Sequence, residues 1–326
     1  MKYRKIGNTK VKISRLSLGT WTLGGKTPGK TSYGYISKKS AKNIIAEAYN
    51  LGINYFDTSP TYGFSQEILG DYFKKKREKV FLSSKVGIDN YHKKKNFSKK
   101  FINKQIFKIL KELNTDYIDF IKLYNPDPKD VNLSEGYEEL RRLQERGLIK
   151  FIGVSLQSPI DLIKFNKNLK FDIAQCNFNL LDLRILNYRI LDYIKLNNIG
   201  IIGRTIYSFG VFTEDFLRYK KFKLNLNKSD HRSRWSKRQL DKWTEGLIEI
   251  KKKIEEKDKI ENLATRFVNS FNFISSSLIG VQNLKELKNN LHDENFLSLR
   301  KKSIKKIVNI NKKSFFVDYK SPKRII

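Results

Sequence analysis

The sequence predicts an α/β protein: a parallel (β/α)8 TIM barrel forming a single domain over residues 1–326. Three observations point to it. Short apolar runs rich in Ile, Val, Leu and Phe recur eight times. Between them lie charged stretches whose apolar residues return every three or four positions, the period of an amphipathic helix. No Pro/Gly/Ser-rich linker divides the chain, and barrels of this kind reach this length as one domain.

The order begins with residues 3–6 and 11–13, joined across Gly7, Asn8 and Thr9, which read as an N-terminal β-hairpin ahead of the barrel. Barrel strands are expected at 16–18, 55–57, 80–85, 117–123, 151–155, 173–177, 201–204 and 277–280. These runs are short and nearly continuously apolar, as strands covered on both faces must be. Helices are expected at 39–50, 66–75, 104–113, 136–145 and 186–196. The rhythm breaks after the seventh strand. Residues 213–235 form a long, polar, basic stretch that reads as a functional or disordered loop. Beyond it, 237–256 read as an extra helix, 261–270 as the helix before the last strand, and 303–311 as a final helix folded over one end.

A hydrophobic content of 39% with 13% aromatics supplies a large core. No apolar run reaches the roughly 18 residues that a membrane helix needs. The opening Met-Lys-Tyr-Arg-Lys-Ile-Gly lacks a signal-peptide core, and the one cysteine, Cys176, excludes an internal disulfide. These features give a cytoplasmic expectation. Lys and Arg total 66 against 33 acids, a net charge of +33. No aromatic-interleaved basic motif accompanies that charge, so it reads as exposed helix faces. Weak, salt-sensitive contact with polyanions is expected, not specific nucleic-acid recognition.

Functional groups of a parallel barrel gather at the C-terminal ends of its strands. Asp57, Lys85, Asn125, Ser155, Gln175 and Arg204 all fall at or just after expected strand ends, and Tyr62 follows in a loop. Singly, each has an ordinary structural reading; together they form a set. A phenol has a reference pKa of about 10, an ammonium beside it favours the phenolate, and a carboxylate keeps that ammonium charged and placed. Such a trio is a general acid/base device suited to handing a proton to a carbonyl oxygen.

Ordered motifs along nearly the whole chain then resemble those of the aldo-keto reductase superfamily. Residues 15–25, with Leu-Gly-Thr-Trp at 18–21, resemble the family's opening strand and loop. Residues 54–63 resemble the segment carrying its catalytic Asp and Tyr, and 83–87 the segment carrying its Lys. Residues 117–128 resemble the fourth-strand signature. Gly153-Val154-Ser155, Gln175 with Asn179, and 280–290 resemble the cofactor-binding stretches, and 229–235 a loop found in some members.

The resemblance implies an NAD(P)H-dependent oxidoreductase that reduces an aldehyde, ketone or sugar-derived carbonyl by hydride transfer. It implies Tyr62 as proton donor, Lys85 as its pKa-lowering partner, Asp57 as the residue placing Lys85, and Tyr124 as the fourth catalytic position. Ser155 and Gln175 would hold the nicotinamide carboxamide, and Arg204 would pack on that ring. Thr20, Trp21, Asp57, Thr205, Gly280, Gln282, Glu286, Asn289 and Asn290 complete the implied cofactor set. Trp21, Tyr62, Tyr124 and Asn125 would line the substrate pocket. The sequence agrees in lacking a G-x-G-x-x-G run. No metal site is expected; Asp230 and His231 alone lack a ligand set.

Three departures stand out. The family normally has histidine where this chain has Tyr124. Tyr124 either substitutes as the group orienting the carbonyl, or serves a pocket turned to enone C=C reduction, or marks a cofactor-binding regulatory or redox-sensing protein with little turnover and a partner protein. Leu156 stands where many relatives have Asn, losing one amide contact worth about 1 kcal/mol. Glu286 falls where relatives often place Arg or Gln near the adenosine 2′-phosphate, which a carboxylate repels, although Lys285 and Lys288 flank it. On family habit NADP(H) stands slightly ahead of NAD(H). The basic Arg232, Arg234 and Lys237 either suit pyrophosphate or a phosphorylated or nucleotide-linked sugar, or belong to a solvated basic loop.

Overall fold

A computed structural model describes residues 1–25, 27, 32–219 and 230–312. The N-terminal hairpin pairs β1 (Tyr3–Lys5) antiparallel with β2 (Lys12–Ser14), Tyr3 opposite Ser14. Eight strands then close a wholly parallel barrel: β3 (Leu16–Gly19), β4 (Tyr55–Asp57), β5 (Phe81–Val86), β6 (Ile118–Tyr124), β7 (Ile149–Ser155), β8 (Ile173–Asn177), β9 (Gly200–Arg204) and β10 (Ile274–Ile279). β10 pairs with both β9 and β3, which completes the cylinder.

All eight expected strands are present. The largest boundary error is at β10, which starts at Ile274 where 277 was expected. Ser275, Ser276 and Ser277 hid its start, since a serine run carries no apolar pattern. The helices packed around the barrel include α1 (Lys38–Asn50), α2 (Ser65–Phe73), α3 (Lys99–Glu112), α4 (Leu133–Glu145) and α5 (Tyr188–Leu196). Ser37 starts α1 by accepting a hydrogen bond from the Ser40 N–H at 3.0 Å, an N-cap of the usual kind. One connection departs from strict strand–helix alternation: between β7 and β8 the chain makes only a 3₁₀ turn, Pro159–Ile163.

The stretch at 213–235 is not one long loop. It contains the short helix α6 (Glu214–Tyr219) and a 3₁₀ turn at His231–Arg234; its residues 220–229 lie outside the described set. Next come α7 (Lys237–Lys253), α8 (Ile260–Asn269), α9 (Leu284–Asn290) and α10 (Lys301–Asn311), so the expected extra and final helices are present.

The barrel interior is layered. Tyr55, Phe120, Ile173 and Ile202 pack with Ile6 and Ile13 of the hairpin segment in one apolar layer. Phe120 sits between Tyr55 and Phe151, with ring centres 5.5 and 5.0 Å away. A second, larger apolar cluster lies between the strands and the surrounding helices.

Candidate functional site

Side chains two apart on a strand share a face, so each residue of the apolar layer fixes the residue above it. Tyr55 is followed by Asp57, Phe120 by Lys122, Ile173 by Gln175 and Ile202 by Arg204. Lys85 joins them from β5. A polar layer therefore crowns the apolar one at the C-terminal ends of the strands.

Asp57 is its centre. Lys85 Nζ donates to Asp57 Oδ1 at 2.5 Å and to the Thr58 carbonyl at 2.8 Å. Lys122 Nζ donates to Asp57 Oδ2 and to Ser83 Oγ. Gln175 Nε2 donates to Asp57 Oδ2 at 3.1 Å, and Thr20 Oγ1 donates to the Asp57 backbone carbonyl at 2.9 Å. Burial alone would raise the Asp57 carboxyl, but Lys122 and Lys85 together outweigh it and hold it below the usual range. Burial brings Lys85 down to about 7; Asp57 opposes this, while Lys122 and Arg204 add to it.

Lys85 Nζ lies 4.7 Å from the centre of the Tyr62 ring. The expectation that Lys85 lowers Tyr62 meets a different balance. Burial, then Tyr91, Asp57 and Tyr124, push the phenol well above its ordinary range, and only Arg204 pulls it down appreciably. Tyr62 is thus held firmly in its protonated, donating form.

A cavity of about 320 Å³ opens over this layer. Of the expected residues, Trp21, Asp57, Tyr62, Gln175, Arg204, Thr205, Gly280, Gln282, Glu286, Asn289 and Asn290 line it. Thr20, Lys85, Tyr124, Asn125 and Ser155 do not. Thr20 and Lys85 are buried against Asp57. Ser155 Oγ donates to Asn125 Oδ1 at 2.9 Å, so these two side chains satisfy one another, and Lys95 Nζ donates to the Asn125 carbonyl. Tyr124 lies against Tyr91, their ring centres 6.4 Å apart.

Aromatic rings wall the cavity around Trp21. Tyr33 stands edge-on at 5.2 Å, Phe209 edge-on at 6.1 Å, and Tyr62 is stacked at 6.1 Å. Arg232 also reaches the cavity, and its guanidinium is clamped by Asp230 at 2.8 and 3.0 Å. Lys237 is exposed in the first turn of α7 and does not line it. The Arg234 side chain lies outside the described set. After β9 the backbone is unusual: Thr205, Ser208 and Phe209 all have positive φ, at 60°, 42° and 60°. Non-glycine residues rarely adopt that conformation, and such strain concentrates at functional sites.

The loop bearing Tyr62 is fixed by contact with the one bearing Trp21. Phe64 N–H donates to the Gly24 carbonyl at 3.2 Å. A Cβ on Gly24 would lie 1.8 Å from the Tyr62 carbonyl oxygen, and one on Gly63 would lie 2.0 Å from that of Gly24. Two backbones meet here with no room for a side chain.

Sequence reasoning missed Lys122, Tyr91, Tyr33 and Phe209. Lys122 carried a usable signal, because it shares strand parity with Tyr124. Tyr33 and Phe209 lie in irregular segments and offer no period to read.

The residues present fit a nicotinamide dinucleotide. Gln175 Oε1 is buried with no hydrogen-bond partner among the described residues, a free acceptor beside the cavity for a carboxamide N–H₂. Arg204 adds a guanidinium plane to the wall, tied down by donating to the Leu156 carbonyl at 2.9 Å.

Fold and site together define a closed (β/α)8 barrel with the Asp57–Lys85–Tyr62 cluster beside a cavity at the C-terminal ends of its strands. Residues 15–312 match the model of the Aldo/keto reductase family, and the chain belongs to that family. At family level its chemistry is that of an oxidoreductase acting on carbonyl compounds. It is 34% identical over 205 residues to Aldo-keto reductase YhdN of Bacillus subtilis (strain 168), a match spanning 61% of this chain and 60% of that protein. It is 30% identical over 218 residues to the NADH-specific methylglyoxal reductase of Escherichia coli (strain K12), spanning 62% and 66%. Its fold matches that of aldo-keto reductase AKR11C1 from Bacillus halodurans, in its holo form, with a TM-score of 0.76 at 21% identity, covering 95% of this chain and 96% of that one.

Proposed function

We propose that this protein reduces a small aldehyde, ketone or sugar-derived carbonyl at the Asp57–Lys85–Tyr62 cluster, using a bound nicotinamide dinucleotide. The observation that carries the proposal is the placement of Lys85 between Asp57 Oδ1, 2.5 Å away, and the Tyr62 ring, 4.7 Å away, behind the two of them where they line the cavity. Gln175 and Arg204 would hold the nicotinamide ring, and Gln282, Glu286, Asn289 and Asn290 the adenosine end. The cofactor, when bound, supplies the hydride to the carbonyl carbon.

The chain's own residues manage the proton. Tyr62 donates its phenolic proton to the carbonyl oxygen as negative charge builds there. The Lys85 ammonium offsets the charge left on the phenol, and Asp57 keeps Lys85 in place. Tyr124 stands in the position of the family's histidine. Its ring packs 6.4 Å from that of Tyr91 and it is among the groups acting on the Tyr62 phenol, which supports a role in orienting the carbonyl.

For the cofactor we propose NAD(H), in place of the NADP(H) that family habit suggests. The Glu286 carboxylate lines the cavity and is fixed by the Gln282 N–H and the Asn283 side-chain amide, both at 2.8 Å. Lys288, one of the two lysines that would offset it, is turned to Glu47 at 3.2 Å. A 2′-phosphate placed near Glu286 would meet a fixed carboxylate, whereas a 2′-hydroxyl would find an acceptor.

The test is NADH and NADPH oxidation over aldehydes, ketosugars and enones, with Tyr62→Phe in parallel. The expected result is carbonyl-dependent oxidation that Tyr62→Phe reduces by about 10²–10⁴-fold, with cofactor binding retained. Tight cofactor binding without turnover on any carbonyl would favour the sensing role instead.

A further inference from the structure

Lys122 is wholly buried, its side chain 0% exposed. An ammonium buried this way costs several kcal/mol unless it is compensated. Among the described residues its only ion-pair partner is Asp57, through Oδ2. Ser83 Oγ takes a second donor, and the Tyr55 ring centre lies 5.9 Å away. Yet Asp57 is also the partner of Lys85, through Oδ1. One carboxylate serves two buried lysines.

We propose that Lys122 is a positioning residue of the acid/base cluster: it occupies Oδ2 of Asp57, confines Lys85 to Oδ1, and by its charge sets how tightly Lys85 holds its proton. The proposal rests on the function given above. Geometry supplies the constraint, since Gln175 also donates to Oδ2 and Lys85 is left the other oxygen. Electrostatics supplies the tuning. Lys85 faces Asp57 from β4, Lys122 from β6, Arg204 from β9 and Tyr62 from the loop, with Tyr91 and Tyr124 beyond the phenol. Two of these neighbours are cations and one is a carboxylate, so Lys85 lies in a positive surplus. That surplus is suited to opposing the negative charge left on Tyr62 when its proton moves. It also lets Lys85 discharge more readily as pH rises.

The experiment follows the titration of Lys85 itself, by NMR of protein labelled with ¹³C at lysine Cε, the signal being assigned with Lys85→Met. Lys122→Gln keeps a hydrogen-bonding group beside Asp57 but removes the charge. The expected result is a Lys85 titration moved upward by about one pH unit or more, with the alkaline limb of turnover moving with it. An unmoved Lys85 titration in folded Lys122→Gln would overturn the proposal. Should that variant not fold, Lys85→Met gives the reciprocal reading, since coupled groups shift one another. There the Lys122 titration must rise, and an unchanged value is equally decisive against the proposal. The NMR reading needs no turnover. A protein inactive on every carbonyl, yet showing the shift, would refute the proposed reaction and keep the role of Lys122.

Discussion

Gln175 donates its side-chain amide to Oδ2 of Asp57 at 3.1 Å, and its own carbonyl oxygen is buried with no hydrogen-bond partner among the described residues. A glutamine held by its nitrogen end cannot flip without breaking that bond. Gln175→Leu is therefore expected to weaken dinucleotide binding by about tenfold, the effect of one lost hydrogen bond of about 1.4 kcal/mol. Calorimetric titration with NADH and NADPH checks it, and equal affinity in the variant would remove Gln175 from the cofactor site.

Under the proposed function Glu286 sets the choice of cofactor. Glu286→Arg is expected to shift the ratio of NADPH to NADH affinity by about tenfold or more toward NADPH, by replacing a repelling charge with a phosphate-binding one. The two dissociation constants, measured side by side, decide the matter. An unaltered ratio would place the 2′ position of the ribose elsewhere.

Asp57 and Lys85 should differ sharply in what their removal does to stability. Asp57→Asn leaves two buried ammonium groups without a counter-ion, at an expected cost of about 3–5 kcal/mol. Lys85→Met leaves Asp57 still paired with Lys122 and should cost less than half as much. Urea unfolding of both variants gives the comparison, and similar losses would contradict the shared-carboxylate geometry.

The pH dependence follows from Lys85. Its ammonium, brought down to about 7 by burial, is charged below that pH and neutral above it. Carbonyl reduction should therefore decline as pH rises through about 7. Tyr62 is not the origin of that limb, because its phenol stays protonated well beyond it. Stability should respond in the opposite sense. The unfolded chain keeps this proton up to about pH 10.5, so unfolding becomes harder as pH rises from about 7 toward that value. Comparing wild type with Lys85→Met isolates both effects.

The barrel was legible because buried parallel strands are continuously apolar, and Tyr55–Asp57 or Ile173–Asn177 can be read without knowing their neighbours. β10 was half legible, since its first residue, Ile274, is followed by Ser275-Ser276-Ser277, packed inside yet without an apolar pattern. Asp57, Tyr62 and Lys85 could be found from their order along the chain. Lys122 was not found, because a lysine in a strand ordinarily faces water. Counting by twos from Tyr124 would have turned it inward. The sign of the Tyr62 shift depends on how deeply the ring is buried, which no local pattern records.

The contact between Gly24 and Gly63 has a bearing on how such a pocket diversifies. The Tyr62 phenol and the Trp21 indole ride on segments pressed flush against each other, so neither can drift while its counterpart stays. Variation in what is accepted must enter through the outer rim, around Tyr33, Phe209 and Arg232. A library randomised there would vary the pocket around an unmoved Tyr62, whereas one that placed bulk at either glycine would dislodge Tyr62 itself.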